Sequence, residues 1–457
     1  MNALSISLNV YWVSGLTSLV LVSIWNVAEI TETVALIKQI SPDTLVVLGG
    51  PEVSYEQQQQ EVCQLSDYVI AGPGELSFHA LCRQVSQGVR PAEKYISQQV
   101  PSLEEIRLPY YLYTDEDVAN RIVYVEASRG CPFKCEFCLS ALGKTAWPFD
   151  PDQFLSEMEL LYNRGVRHFK FVDRTFNLKV DSSIRILEFF LARMDDDLFL
   201  HFELIPDRLP ERLKEVIVRF PENSLQFEIG VQSFNLQTQR LISRRQDDQK
   251  TESNLAWIKN RTHGHIHSDL IIGLPGEDMA SFATGLNRLV KLDPHEIQIG
   301  ILKRLRGAPI ARHVDDYEMR FNPHPPFNIL YNNLISFADM QRLSRFARYW
   351  DMVINSGRFK HSKALILGDD PFQRFMLLSD WLYSVTGQTH RIALRRLFEL
   401  LYEALMKQLI DDVAETTQRL SADYEASGLK GRPLFLQGIK DPKDCIISVA
   451  NRRQRRH

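Results

Sequence analysis

The sequence of 457 residues lacks a cysteine framework, a large excess of charge of either sign and an export signal. Of its six cysteines, Cys63, Cys82 and Cys445 are isolated along the chain, which argues against an extracellular disulfide scaffold. The formal net charge is only −4, so nothing in the overall charge favours nucleic acid as a partner. We therefore expect a protein of the reducing cytoplasm that does not bind nucleic acid.

The first charged side chain is Glu29, so residues 1–28 are the stretch most easily mistaken for an export or membrane segment. They contain no basic residue and are interrupted by polar residues such as Ser5, Asn9 and Ser14. Hydrophobic residues make up 44% of the chain and charged residues 24%, as in ordinary globular proteins. The composition predicts no membrane segment, and the length predicts about three domains.

The remaining cysteines, Cys131, Cys135 and Cys138, form a CxxxCxxC run. Three thiolates can hold one face of an iron–sulfur cluster but leave one iron without a cysteine ligand. Such an open position is typical of a reactive metal site. The alternatives are chance clustering and a structural zinc knuckle. Zinc needs a fourth ligand at short spacing, whereas the next histidine, His168, lies 30 residues downstream.

The first hundred residues alternate between strand and helix patterns. Buried-strand runs cover Leu19–Trp25, Thr44–Leu48 and Tyr68–Ile70, and helical spacing covers Val27–Ile40 and Gln57–Leu65. This order predicts a parallel α/β domain over residues 1–100. Residues 101–120, with two prolines and an acidic run, are expected to be a linker.

A second and longer βα alternation follows over residues 121–310. A strand at 122–125 leads into the cysteine run, and the other five strands are expected at His168–Val172, Leu198–Leu204, Ser224–Val231, Ile266–Ile272 and Glu296–Leu302. Six parallel βα units predict a partial (β/α)6 TIM-type barrel, with its chemistry at the carboxyl ends of the strands.

Residues 311–457 show helical periodicity instead. The predicted helices are Leu330–Trp350, Pro371–Val385 and His390–Leu409, in a separate, mainly helical domain. The chain ends in a basic tail, residues 451–457, that we expect to be solvated. This region contains no second CxxC pair, so no auxiliary cluster is expected.

Polar residues stand where the predicted barrel strands end. If the barrel forms, Asp173, Thr175, Glu203, Gln232 and Asp269 should converge over the cysteine run. Each of them also has a purely structural explanation, such as a helix cap or a buried ion pair. The alternating His263, His265 and His267 invite a metal site, but the intervening Gly264 favours an exposed turn.

The cysteine run, with Phe137 before its last cysteine, resembles the signature of the radical S-adenosylmethionine (SAM) superfamily. The resemblance implies that Cys131, Cys135 and Cys138 ligate a [4Fe–4S] cluster whose open iron binds the amine and carboxylate of SAM. Reduction of that cluster would cleave SAM to a 5′-deoxyadenosyl radical, which abstracts hydrogen from a substrate.

The strand-end runs are similar to those of the superfamily branch that includes oxygen-independent coproporphyrinogen oxidase. This resemblance implies SAM contacts from Glu203, Gln232, Arg244 and Asp269, with Arg244 on the carboxylate and Asp269 on the ribose. It places Phe137 against the adenine. The second strand reads Val172–Asn177 instead of a glycine-rich form, and there Asp173 and Thr175 would hydrogen-bond the SAM ammonium.

Residues 1–100 resemble the second half of the flavodoxin-like, cobalamin-binding domain that precedes many radical SAM cores. The first strand of that domain and its Asp-x-His-x-x-Gly loop, which carries the cobalt-ligating histidine, have no counterpart in this sequence. We therefore expect a truncated domain, and cobalamin binding is doubtful. The C-terminal helices resemble an uncharacterised extension found behind such cores, expected to cover the barrel mouth.

The sequence thus predicts a radical SAM enzyme with a [4Fe–4S] cluster and SAM as cofactors. It would act on a small-molecule substrate of unknown identity and take its electron from a donor such as flavodoxin or ferredoxin. Two alternatives stay open. One is a non-catalytic iron–sulfur or SAM-binding regulatory protein, and the other is a cobalamin-dependent radical SAM methyltransferase.

Overall fold

The computed structural model describes residues 11–13, 17–97, 100–143, 145–409 and 412–436. Cys445 and the predicted basic tail, residues 451–457, lie outside these ranges. Within the described part of the chain, no helix combines the length and the apolarity needed to cross a bilayer.

The N-terminal region is a five-stranded sheet in the order β1-β2-β3-β4-β5, antiparallel only between its first two strands. Its strands are β1 (Tyr11–Val13), β2 (Thr17–Leu21), β3 (Leu45–Gly49), β4 (Tyr68–Ile70) and β5 (Tyr95–Ile96). Its helices are α1 (Val27–Ile40), α2 (Glu61–Leu65) and α3 (Glu75–Ser86).

Strand β2 ends earlier than the predicted run Leu19–Trp25. The side chain of Asn26 accepts a hydrogen bond from the backbone N–H of Ser23 at 2.7 Å, which forms a turn directly before α1. This local bond ends the strand although the sequence stays apolar. Helix α1 and strand β4 have the predicted bounds.

The central region is a six-stranded sheet in which all five neighbouring pairs are parallel. Its strands, in spatial order, are β6 (Val123–Val125), β9 (His168–Phe171), β10 (Phe199–Leu204), β11 (Leu225–Gln232), β12 (His265–Ile272) and β13 (Glu296–Ile301). The predicted (β/α)6 partial barrel is therefore confirmed.

Helices connect these strands, and one short hairpin interrupts the pattern. The helices are α4 (Asp115–Asn120), α5 (Pro151–Asn163), α6 (Val180–Leu191), α7 (Glu211–Ile217), α8 (Leu236–Leu241), α9 (Asp248–Arg261) and α10 (Met279–Lys291). The hairpin pairs β7 (Ser128–Gly130) with β8 (Ala146–Pro148).

The C-terminal region is mainly helical but opens with a small antiparallel pair, β14 (Arg320–Phe321) and β15 (Ile329–Tyr331). Its helices are α11 (Phe337–Trp350), α12 (Lys363–Leu367), α13 (Pro371–Thr386), α14 (Leu394–Lys407) and α15 (Val413–Ala426). The predicted helix from Leu330 is wrong at its start. Ser336 caps α11 by accepting a hydrogen bond from the N–H of Asp339, and the preceding residues pair as a strand.

The barrel and the C-terminal helices share one continuous apolar core, which runs from Leu108 to Tyr424. The C-terminal helices are thus packed onto the barrel and do not form the separate core that the sequence suggested. The segment expected to be a linker joins the same core, since Leu108 and Tyr110 are buried in it. The N-terminal sheet has its own two apolar clusters.

Ion pairs hold the N-terminal region against the barrel. They start from the loops and helices that follow β3 and β4, which are the carboxyl ends of parallel strands. The pairs are Glu52–Arg306 at 2.7 Å, Glu56–Arg304 at 2.9 Å and Glu75–Arg129 at 2.6 Å. Arg129 lies two residues before Cys131, so this contact brings the N-terminal region close to the cysteine run.

Candidate functional site

The hairpin β7–β8 frames the cysteine loop. Gly130 ends β7 with a φ of +97°, and a Cβ atom there would lie 2.4 Å from the carbonyl oxygen of Thr145. Only glycine meets both demands without displacing the backbone. The hairpin therefore closes the loop that contains all three cysteines.

Glu136, between the second and third cysteines, anchors this loop from inside. Its side chain is buried, and its carboxylate accepts hydrogen bonds from Ser243 Oγ at 2.5 Å and from Arg312. Its other oxygen lies 2.9 Å from His313 Nε2. Its backbone N–H donates to Ile242 and its carbonyl accepts from Ile310. Sequence reasoning missed this residue, because its partners come from two distant segments.

Cations surround the three thiols. Arg244 Nη1 lies 3.5 Å from Cys135 Sγ. The charge of Arg174 acts on Cys131 and Cys138, while burial raises the pKa of the Cys131 thiol. Phe137 is half-buried and packs against the barrel core beside the last cysteine. The structure thus assembles a thiol cluster in a cationic setting, which suits an anionic thiolate-ligated group.

The end of β11 positions Arg244. Its guanidinium donates to the carbonyl of Gly230 and, from Nε at 3.0 Å, to Gln246 Oε1. A Cβ atom at Gly230 would lie 2.4 Å from the side-chain nitrogen of Gln232, so any side chain there would displace the Gln232 amide. Gln232 has a φ of +70°, and its buried Oε1 has no hydrogen-bond partner among the described residues.

Glu203 lies at the end of β10 and pairs with Arg174 at 2.8 Å. Burial raises the pKa of Glu203 to about 7, against the opposing charge of Arg174. The charge of Arg174 acts on both this carboxylate and the thiols of Cys131 and Cys138, a role that the sequence did not predict. The sequence feature that could have indicated this role is the position of the residue next to Asp173, in the second-strand run that differs from the glycine-rich form.

Asp173 has a different environment from the one expected for a SAM contact. Its carboxylate is buried and accepts hydrogen bonds from the N–H of Ala127 at 2.9 Å and from Ser128 Oγ at 2.6 Å. Burial raises its pKa to about 6. The residue supports the start of the hairpin, a role that the sequence did not predict. Thr175 is buried nearby, and its hydroxyl has no partner among the described residues.

Asp269 lies inside the barrel on β12, beside His267. The two side chains are 3.2 Å apart, from His267 Nε2 to Asp269 Oδ1. Burial raises the pKa of Asp269. Burial also opposes protonation of His267, but Asp269, Glu228 and Glu296 outweigh it and raise the pKa of the imidazole. Asp269 is thus in the barrel interior, as expected of a strand-end residue.

The predicted exposed turn is correct for His263, which is exposed before β12, but wrong for His265 and His267. His265 and His267 belong to β12, and their side chains are only 31% and 16% exposed. Within the described ranges, no three His, Cys, Asp or Glu side chains converge on a position for a single metal ion.

A cavity of about 3350 Å³ occupies the barrel interior and continues along the C-terminal helices. The wall inside the barrel is polar, and His201 there contacts Glu228 at 3.1 Å. This contact lowers the pKa of Glu228 to about 2. A closed TIM barrel fills this space with apolar side chains. The open interior of this barrel instead leaves room for a small molecule.

The residues present fit a [4Fe–4S] cluster with SAM beside it. Three thiols are available for three irons, and two guanidinium groups offset the charge of the thiolates. The orphaned Oε1 of Gln232 and the hydroxyl of Thr175 are buried polar atoms that a bound ligand would satisfy.

Comparison with known protein families supports this assignment. Residues 125–289 match the model of the radical SAM superfamily, and residues 315–455 match a protein family of unknown function, DUF4080. The chain therefore carries a radical SAM domain, followed by a region whose family has no assigned role.

Two curated relatives are methyltransferases by name. The chain is 32% identical over 181 residues to an uncharacterised methyltransferase, PH0819, of Pyrococcus horikoshii, covering 34% of this chain and 39% of that protein. It is 23% identical over 354 residues to the cobalamin-dependent radical SAM methyltransferase TokK of Streptomyces tokunonensis, covering 66% of this chain and 49% of that protein. The matches thus span less than half of either relative.

The fold is shared with a larger enzyme. The structure of the cobalamin-dependent SAM radical enzyme OxsB with aqua-cobalamin bound matches with a TM-score of 0.56 and 14% identity, over 90% of this chain and 75% of that one. At this identity the match establishes a common fold that includes the N-terminal sheet.

The N-terminal sheet does not fit cobalamin by the histidine mode. In the described residues up to 97, the single histidine is His79, which is exposed on α3 and not in a loop at the carboxyl edge of the sheet. The segments after β3 and β4, at that edge, already form ion pairs with the barrel. No chemical step is therefore assigned to cobalamin.

Proposed function

We propose that this chain is a radical SAM enzyme that binds a [4Fe–4S] cluster through Cys131, Cys135 and Cys138 and cleaves SAM reductively. The observation that carries the proposal is the placement of the three thiols in one loop, with Arg244 beside Cys135 and the charge of Arg174 acting on Cys131 and Cys138. When bound, the cluster supplies the electron that breaks a carbon–sulfur bond of SAM.

The residues of this chain orient the two cofactors. Arg244 pairs with no carboxylate among the described residues, so its charge is available to the SAM carboxylate. Gln232 offers its orphaned amide oxygen, and Glu203 and Asp269 offer carboxylates for the ammonium and the ribose. Phe137 provides an apolar face for the adenine. The polar cavity inside the barrel is the space that we assign to a small-molecule substrate.

A cluster with an open iron is sensitive to oxygen, so the proposal includes a cytoplasmic location. It also includes an electron donor such as flavodoxin or ferredoxin, because the cleavage is reductive. The large polar cavity inside the barrel favours an enzyme over a purely regulatory protein, because it offers room for a substrate.

The test is anaerobic reconstitution with iron and sulfide, followed by dithionite and SAM. We expect a brown protein whose EPR signal changes on SAM addition and which releases 5′-deoxyadenosine. The variant with Cys131, Cys135 and Cys138 all changed to Ala should bind no cluster, whereas the control Cys82→Ala should behave as the unchanged protein. A colourless protein with stoichiometric zinc would rule the proposal out.

Methyl transfer is a second candidate, favoured by the names of the two curated relatives. It is tested by adding methylcobalamin to the reconstituted protein and measuring S-adenosylhomocysteine beside 5′-deoxyadenosine. Binding of cobalamin with release of both products would support it. Release of 5′-deoxyadenosine alone, without cobalamin binding, would leave the first candidate.

A further inference from the structure

Three parts of the chain meet at one end of the large cavity. Trp25 comes from the loop after β2, Lys303 follows β13, and Arg348 lies on α11, and all three line the cavity. The junction therefore combines the N-terminal sheet, the barrel and the C-terminal helices.

Several carboxylates along the cavity already have protein partners. Asp293 binds Lys259 at 3.0 Å and Lys363 at 2.7 Å, and Glu228 contacts His201. Asp423 accepts hydrogen bonds from the backbone N–H groups of residues 361 and 362. These three carboxylates are therefore engaged elsewhere in the cavity wall.

Lys303 and Arg348 lack such neutralisation. Among the described residues, neither forms an ion pair with a carboxylate. The Lys303 ammonium lies 3.9 Å from the centre of the Trp25 ring, a cation–π contact that leaves its hydrogen-bonding capacity unused. Burial lowers the pKa of Lys303, and the charge of Arg348 lowers it further.

Lys303 is half-buried and Arg348 is exposed, so water screens part of their repulsion, and an anion that joined them would relieve the rest. An ammonium and a guanidinium offer several donors that match the oxygens of a phosphate or carboxylate. Trp25 adds a planar wall whose ring is largely exposed, at 67%.

We propose that this junction is the binding site for the anionic group of the substrate, a small molecule that carries a phosphate or a carboxylate. Lys303 and Arg348 hold the oxyanion at the edge of the cavity, and the rest of the molecule extends into the barrel. This inference rests on the proposed function, since it gives the substrate its chemical class. It also assigns a role to α11, which belongs to the region of unknown function.

The test titrates the full chain with sodium phosphate and, separately, with sodium acetate, against sodium chloride at equal ionic strength. Binding is measured by calorimetry and by the fluorescence difference between the unchanged protein and Trp25→Phe. We expect saturable binding of phosphate, acetate or both, and none of chloride. Phosphate alone would identify a phosphate ester, and acetate alone a carboxylic acid.

Variants locate the site. Lys303→Gln and Arg348→Gln should each weaken binding at least about tenfold, the effect of losing one charge-assisted hydrogen bond. Lys363→Gln removes a cation of the same cavity that is already paired with Asp293, and should leave binding unchanged. Equal weakening by all three variants, or binding no stronger than that of chloride, would overturn the proposal.

The outcome is independent of the radical chemistry, because the titration needs neither cluster nor SAM. Anion binding without release of 5′-deoxyadenosine would contradict the proposed function alone. Release of 5′-deoxyadenosine without anion binding would contradict only the anion site.

Discussion

Gly130 shows how a single residue controls the geometry of the candidate site. It combines a positive φ with a close approach to the backbone of Thr145, so two separate penalties oppose any side chain. Gly165 provides a contrast, because its φ of +99° is similar but no atom lies within 4 Å of its hypothetical Cβ.

We predict that Gly130→Ala and Gly165→Ala each lose about 1–2 kcal/mol of unfolding free energy from backbone strain. Only Gly130→Ala should also lose the cluster, because its methyl group must displace the hairpin that closes the loop. Urea unfolding and iron content after reconstitution measure the two effects. Full iron binding by Gly130→Ala would contradict the steric argument.

Elements distant in sequence meet at the cysteine loop. The segment between β11 and α9 supplies Ser243 and Arg244. The short helical turn Pro309–His313 supplies Arg312 and His313, which contact the carboxylate of Glu136. The loop is therefore held by the barrel and by the segment that leads into the C-terminal region.

We predict that Glu136→Ala leaves the fold intact but releases iron to a chelator about tenfold faster, as expected if about 1.4 kcal/mol of restraint is lost. His313→Ala should show the same direction of change. Glu104→Ala, at an exposed position, is the matched control. The measurement is the decay of cluster absorbance under anaerobic chelation, and identical decay in all variants would exclude the anchoring role.

At the scale of the whole molecule, the distribution of apolar cores determines which parts can be removed. The N-terminal sheet has its own clusters, whereas the C-terminal helices share the barrel core. The N-terminal sheet meets the barrel through ion pairs, which are not part of the barrel's apolar core.

We predict that a fragment of residues 101–457 stays folded and binds the cluster, whereas residues 1–313 aggregate because the barrel core is exposed. Circular dichroism, size-exclusion chromatography and iron content after reconstitution test this. A folded, monomeric 1–313 fragment would contradict the shared core.

Buried carboxyl groups give global stability a defined pH dependence. Burial raises the pKa of Glu277 to about 7, and Asp173 and Glu203 are shifted in the same direction. In the window between the unfolded and folded pKa values the native state binds more protons, so stability falls as pH rises from about 4.5 to 7.

In the variant Glu277→Gln the free energy of unfolding should fall less as pH rises. The difference is roughly 1.4 kcal/mol for each unit of pKa shift that the substitution removes. The variant should therefore be more stable than the unchanged protein at pH 8. Glu215→Gln, at an exposed position, is the control. Urea unfolding between pH 4.5 and 8 provides the comparison, and parallel curves for all three proteins would contradict the prediction.

The sequence by itself determined the order of the six βα units and the identity of the three cysteines. Both are local signals, because a buried parallel strand reads as a short apolar run and the ligands of one cluster lie within a single loop. The same local reasoning failed at β2 and at the start of α11, where side-chain bonds of Asn26 and Ser336 overrode the apolar pattern.

Only the tertiary structure decided which polar residues share the site. Asp173 and Arg174 are adjacent in sequence, yet one supports the hairpin and the other faces the thiols. Glu136 contacts Arg312 and His313, and Lys303 contacts Trp25. These partners are so far apart in the sequence that the periodicity of a helix or strand cannot predict the contacts. The physical reason is that burial and charge pairing depend on distances between elements, which packing fixes after the local structure has formed.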